Sequence, residues 1–168
     1  MFEDFVFGFI DNEISLIAAK SQKSDTYLAE ERKFRLKPDL YIRTEHEAII
    51  ADTKYKIIDR EQEKTGGISQ NDLYQMVAYA IRFETESVLL YFPNILEGPP
   101  ISLPPITIED KLSNNRKIVI FPTVLSIINN DLFTTGITFD KVLKTMFDST
   151  ANRLKEEILQ SINNPNGL

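Results

Sequence analysis

Cysteine is absent from the 168 residues, which excludes disulfides and thiolate-held zinc. A single histidine, His46, is too few for an imidazole-based metal centre and argues against a Ser-His-Asp triad. Any metal must then be held by carboxylates, which favour Mg²⁺, Mn²⁺ or Ca²⁺. No apolar run approaches the ~20 residues of a membrane helix. The opening MFEDFVFGFIDNE lacks the basic n-region of a secretory signal. A cytoplasmic protein with no membrane partner is expected. Positive charge is also short: the net charge is −6, which opposes general nucleic-acid binding. The deficit is uneven. Residues 1–19 carry four acids and no bases, 20–64 carry eleven Lys/Arg against ten Asp/Glu, and 84–168 carry seven against ten.

What is present suits a soluble globular chain. A hydrophobic fraction of 42% with 26% charged residues can bury one core, so residues 1–168 are read as a single α/β domain. Phe2, Val6, Phe7 and Ile10 recur at helical spacing and predict a buried helix over 2–10. Residues 31–36 predict a strand with Phe34 and Leu36 inward, and 39–44 a strand with Leu40 and Ile42 inward. Residues 48–56 begin apolar on both faces, as in a central strand. The short Thr44–Glu47 connection predicts an antiparallel hairpin between these last two. Residues 57–68 read as a charged, flexible loop. Ser69 with Asp72 opens a helix like a capping box, carried on by Leu73, Met76, Val77, Ala80 and Ile81. Residues 87–93 predict a strand, 101–108 an edge strand limited by Pro104-Pro105, and 117–121 another strand. A long C-terminal helix over 139–162 is expected to place Phe139, Val142, Leu143, Met146, Phe147, Leu154 and Ile158 on one face.

Two carboxylates and an amine stand out in KPDLYIRTEHEAIIADTKYK, residues 37–56. Residues i and i+2 of a strand share a face, so Asp52 and Lys54 point together while Thr53 points away. Antiparallel pairing would bring Asp39 beside the end of the Asp52 strand. Two neighbouring aspartates repel unless a cation sits between them, and a hard cation polarises both water and phosphoryl oxygen. A nearby ammonium can stabilise the developing charge or position the water. Alone, D-x-K at a strand end reads equally as a solvated salt bridge, and Pro-Asp as a turn. The combination P-D-x12-D-x-K within an α-β-β-β-α-β order is far more specific. On the following helix Asp72, Gln75 and Tyr79 fall on one flank, and Gln75 and Tyr79 are an i, i+4 pair. Either they support the site, or Tyr79 is core, Gln75 surface and Asp72 a helix-start acid.

LKPDLYIR, IIADTKYK and SQNDLYQMVAYA together resemble the nuclease domain of McrC, the cleaving subunit of modification-dependent McrBC restriction systems, a PD-(D/E)xK nuclease. FEDFVFGFI resembles the helix that begins that domain. The resemblance is strongest over residues 1–83. It implies a restriction-endonuclease-like core with a central mixed sheet flanked by helices, its motifs within 1–93 and further strands and the long helix in 94–162. It implies Mg²⁺-dependent hydrolysis of DNA, with Mn²⁺ able to substitute, in antiviral defence. Asp39 and Asp52 would hold the metal, with the Thr53 carbonyl and Glu3 assisting. Lys54 would act on the reacting phosphate, and Gln75 and Tyr79 would match a Q-x-x-x-Y element. The implied partners are modified duplex DNA and a McrB-like AAA+ GTPase. The N-terminal region through which McrC meets that GTPase is not in this sequence. Two rival readings remain: a non-catalytic DNA-binding or assembly module of the same fold, and an unrelated α/β interaction protein.

Overall fold

A computed structural model describes residues 1–14, 17–21, 25–44, 48–56, 58, 67–94, 102–111, 114–127 and 139–163, with residues 18, 21 and 139–146 described by backbone alone. In chain order the elements are α1 (Phe2–Glu13), β1 (Ala18–Ser21), β2 (Thr26–Tyr27), β3 (Arg35–Leu36), β4 (Leu40–Arg43), β5 (Ala48–Thr53), α2 (Gln70–Phe83), β6 (Ser87–Pro93), β7 (Ile106–Asp110), β8 (Arg116–Leu125) and α3 (Phe139–Asn163). Six strands form one mixed sheet in the order β1-β4-β5-β6-β8-β7, and β2 pairs only with β3. Strand β5 is antiparallel to β4 and parallel to β6. The second relation requires a crossover, which α2 supplies.

The period-2 alternation of the strands divides the core into two layers. Leu40, Ile42, Ile49, Ala51, Leu89 and Tyr91 face α1 and α3, meeting Val6, Ile10, Leu154 and Ile158. Ile50, Val88, Leu90, Ile118 and Ile120 face the other way, onto Met76, Tyr79 and Ala80 of α2. Both faces of β5 and β6 are covered, which is why their sequences are apolar throughout. Asp52 has the parity of Ile50, so it points into the α2 layer.

The hairpin of β4 and β5, the strand 87–93 and the capped α2 all appear as read from sequence. Other expectations change. Residues 31–36 give only Arg35–Leu36 as strand, outside the main sheet. Phe34 is 74% exposed with φ of 57°, because Leu28 N–H donates to the Phe34 carbonyl (2.9 Å) and Ala29 N–H to that of Lys33 (3.3 Å) in a tight hairpin end. The third antiparallel member of the sheet is instead β1, which pairs with β4 and has too short and mixed a pattern to stand out. On α2 the buried stripe rotates toward Asp72, Met76, Tyr79 and Ala80, leaving Ile81 48% exposed. Among the described side chains of α3, Leu154, Ile158, Ser161 and Ile162 are buried and Phe147 is 74% exposed; the expected Phe139, Val142, Leu143 and Met146 lie outside those described. The edge strand starts at Ile106, after Pro104-Pro105 rather than across them.

Strand β8 runs on through Pro122 to Leu125, past the strand at 117–121 expected from sequence. Val119 N–H donates toward β6, to the Glu86 carbonyl at 2.8 Å. Residue 122 therefore turns its nitrogen the other way, toward β7. That ladder has already ended at Ile106–Ile120, while pairing with β6 continues to Pro93–Leu125. The missing N–H costs no ladder bond there. Most of the 57–68 loop lies outside the described residues, but Ile58 and Ile68 are both buried in the α2 layer.

Candidate active site

Pairing of β4 with β5 matches Leu40 to Ala51 and Tyr41 to Ile50. One step further along the same register sets Asp39 across from Asp52. Asp39 does not point freely at its neighbour. Its Oδ2 accepts from the Thr53 amide at 2.8 Å and the Thr53 hydroxyl at 2.6 Å, tying the start of β4 to the end of β5. Asp52 is 1% exposed. Its Oδ2 meets the Lys54 ammonium in an ion pair and is without a hydrogen-bond donor of good geometry. Burial, and then the charge of Asp39, push the Asp52 carboxyl up to about 6, against the opposing pull of Lys54.

Lys54 is held at both ends. Its backbone N–H extends the β5–β6 ladder by donating to the Tyr91 carbonyl at 2.8 Å. Its Nζ donates to Gln75 Oε1 at 3.0 Å, Gln75 Nε2 donates to the Tyr79 hydroxyl at 2.7 Å, and Tyr79 donates to the Lys37 carbonyl at 2.9 Å. The chain of bonds runs from the amine across α2 and back to the residue before Pro38-Asp39. Burial, and then the charge of Asp52, push the Tyr79 phenol up. It therefore remains a protonated donor and does not act as a base.

A second link joins the same two elements. Lys56 pairs with Asp72, which forms a capping box with Ser69 at the start of α2. Burial alone would raise the Asp72 carboxyl; hydrogen bonds from Lys56 and Ser69 outweigh it and hold it below the usual carboxylate range. Asp72 is thus the helix-start acid of the two readings open in the sequence.

The structure brings Asp39, Asp52, Thr53, Lys54, Gln75 and Tyr79 into one cluster at the carboxyl end of β5. Glu3 lies on the first turn of α1, at the same end of the sheet, since Phe2 beside it stacks near Tyr55 with ring centroids 6.2 Å apart. Among the described residues no three His, Cys, Asp or Glu side chains are grouped to hold a metal ion, so Glu3 is not gathered with Asp39 and Asp52 into a three-acid centre. Two residues escape a sequence reading: the Lys37 carbonyl, which carries no sequence signal, and Lys56. The second is hinted at by its two-residue step from Lys54, matched by the three-residue step from Asp72 to Gln75 on the helix.

A small hard cation fits this donor set. Mg²⁺ is commonly bound through one or two carboxylates, with water and substrate phosphate completing its shell. The cluster offers two carboxylates at paired strand positions, one of them buried, with a proton affinity raised by that burial and then by the charge of the other.

Comparison with known proteins points to one source. Residues 1–93 match the family model of the McrBC 5-methylcytosine restriction system component, a stretch that includes every residue of the cluster. Among solved structures, the chain resembles one from the refined half-complex of the tetradecameric assembly of Thermococcus gammatolerans McrB AAA+ hexamers with bound McrC. The TM-score is 0.53 at 16% identity, covering 94% of this chain and 32% of that one. This chain thus spans about a third of the length of that relative, and the likeness is one of fold. No curated protein sequence matches. No helix among the described residues is long and apolar enough to cross a membrane.

Proposed function

This chain belongs to the McrBC 5-methylcytosine restriction system component family, and from that premise we propose that it is the DNA-cleaving nuclease domain of such a system, a PD-(D/E)xK core of restriction-endonuclease type. The observation that carries the reading is the pair of carboxylates Asp39 and Asp52 at one strand end with the Lys54 ammonium fixed beside them. Asp39, Asp52 and the Thr53 carbonyl would hold a divalent cation, which would supply Lewis-acid polarisation of a phosphoryl oxygen and of a water. Lys54 places positive charge where negative charge develops on the phosphoryl oxygens during in-line attack, leaving a 5′-phosphate and a 3′-hydroxyl. Gln75 fixes the lysine, Tyr79 fixes Gln75, and neither exchanges a proton with substrate.

Delivery of the DNA falls to a partner. The net charge of −6 gives little counterion-release affinity for duplex, and the resembled assembly contains McrB AAA+ hexamers. We assign the same class of partner, an AAA+ GTPase in the cytoplasm, to this chain. The test is plasmid cleavage with Mg²⁺ or Mn²⁺, with and without the cognate AAA+ GTPase. Metal-dependent cleavage that Asp52→Asn abolishes is the expected result. Cleavage that persists in that variant, or none with metal and GTPase both present, refutes the nuclease reading.

A further inference from the structure

The hairpin of β2 and β3 has no part in the core sheet and no role in the chemistry above. Its register runs from Thr26–Leu36 and Tyr27–Arg35 outward through the Leu28–Phe34 and Ala29–Lys33 hydrogen bonds. Leu28 and Phe34 therefore lie opposite each other near its end, 47% and 74% exposed. Around them, Arg32, Lys33, Arg35 and Lys37 are all exposed, four bases within six residues of an acidic chain. Glu31 meets Lys33 only at 4.0 Å and in solvent, and the Arg32 guanidinium rests 5.9 Å above the Tyr27 ring. Arg32 and Phe34 both adopt the left-handed backbone region, at φ of 58° and 57°, where long and aromatic side chains are uncommon. The tight turn sets these backbone angles, and it leaves the Phe34 ring in solvent beside exposed cationic side chains.

The hairpin is also rigidly tied to the cluster. Its last strand continues through Lys37, whose carbonyl holds Tyr79, to Asp39. Its first strand is gripped by Arg82 of α2, whose Nε donates to the Tyr27 carbonyl at 2.8 Å. Four residues separate Phe34 from Asp39, a reach of at most about 18 Å of chain.

We propose that the β2–β3 hairpin is a duplex-DNA contact arm beside the cleavage cluster, with Arg32 and Lys33 on backbone phosphates and Phe34 as an apolar tip against the groove. The proposal rests on the nuclease reading for its choice of ligand. Charge complementarity favours DNA over an apolar partner: residues 30–37 carry four bases against Glu30 and Glu31, an excess of two positive charges beside the exposed ring, and phosphates pair with cations.

The test is duplex binding by the full chain, followed by fluorescence anisotropy of a labelled oligonucleotide across a salt series without divalent metal. Arg32→Gln combined with Lys33→Gln should weaken binding and flatten the log-affinity against log-salt slope by about 2, from roughly 0.9 for each phosphate that is no longer neutralised. Phe34→Ala should weaken binding severalfold with the slope unchanged, because an apolar group releases no counterions. The control is Lys111→Gln combined with Lys117→Gln. This pair removes the same charge at the opposite end of the parallel strands, where Arg116 and Lys117 begin β8, and should leave the slope near wild type. Equal slopes for the two double variants, unchanged affinity in Phe34→Ala, or no binding by wild type at the lowest salt would each overturn the arm. Cleavage by the same proteins separates the two readings. If Asp52→Asn abolishes cleavage while the hairpin variants bind as wild type, the arm fails and the nuclease stands. If the slopes shift as expected but Asp52→Asn still cleaves, the arm stands and the assigned chemistry fails.

Discussion

Lys54 and Gln75, 21 residues apart, meet at 3.0 Å, and this one hydrogen bond joins the strand that carries Asp52 to the helix that follows it. The amine is held between a buried carboxylate and a side-chain amide. Its removal should therefore act on stability as well as on rate.

Lys54→Ala should lower cleavage by orders of magnitude, since one donor to a developing anion is worth about 3–4 kcal/mol in comparable sites. It should also destabilise the metal-free protein, because breaking a buried ion pair leaves Asp52 uncompensated, at a cost of about 3–5 kcal/mol. Added Mn²⁺ should restore much of that loss. Calorimetric titration and urea unfolding with and without Mn²⁺ check both halves. Wild-type cleavage, or loss of Mn²⁺ binding, would remove the role assigned to Lys54.

Asp52→Asn should stabilise the metal-free protein near neutral pH. The folded carboxyl sits at about 6 against an ordinary 3.8, so the folded state binds the proton more tightly than the unfolded one. Stability is then lost as pH rises from about 4 to about 6. A shift of this size corresponds to at most about 3 kcal/mol at 1.36 kcal/mol per pH unit. Urea midpoints in EDTA from pH 4 to 7 should fall for wild type and stay flatter for the variant. Parallel curves would show that burial of Asp52 carries no such cost. Mg²⁺ should raise the wild-type melting temperature and leave the variant's nearly unchanged.

Tyr79→Phe should keep the fold and loosen the grip on Lys54. The lost hydroxyl leaves the Lys37 carbonyl and Gln75 Nε2 each short of a partner, at a cost of about 1–3 kcal/mol. Cleavage should fall less than in Lys54→Ala, with Mn²⁺ affinity retained. A deeper loss than in Lys54→Ala would mean that the phenol meets substrate directly.

Asp72→Ala removes the capping box at the start of α2 and the partner of Lys56 together. The expected cost is about 2 kcal/mol, at the upper end for loss of an N-cap interaction, read as a lower thermal midpoint. Lys56→Met, which keeps the Ser69–Asp72 cap, should cost less. Equal losses would place the stabilisation in the ion pair and not in the cap.

Much of the candidate cluster is local in origin and hence legible in the chain. Asp52 and Lys54 share a face because a strand alternates, Ser69 and Asp72 cap because they stand three apart, and Gln75 reaches Tyr79 because a helix places i and i+4 together. The short link between β4 and β5 predicts their antiparallel pairing, but the register that sets Asp39 across from Asp52 comes from the fold. Tertiary structure decided what these steps cannot encode. Asp52 is buried because α2 closes over the end of β5, and burial with Asp39 nearby is what lifts its proton affinity. The Lys54–Gln75 hydrogen bond depends on where the crossover helix lands. Phe34 alternates like a core residue, yet a two-stranded hairpin outside the sheet offers its ring nothing to pack against. The strand expected at 117–121 continues through Pro122, because β7 ends first and leaves that proline's side of the ladder empty. Alternation and capping act over a few neighbouring residues, whereas burial and strand partnership depend on which distant segment arrives on each face.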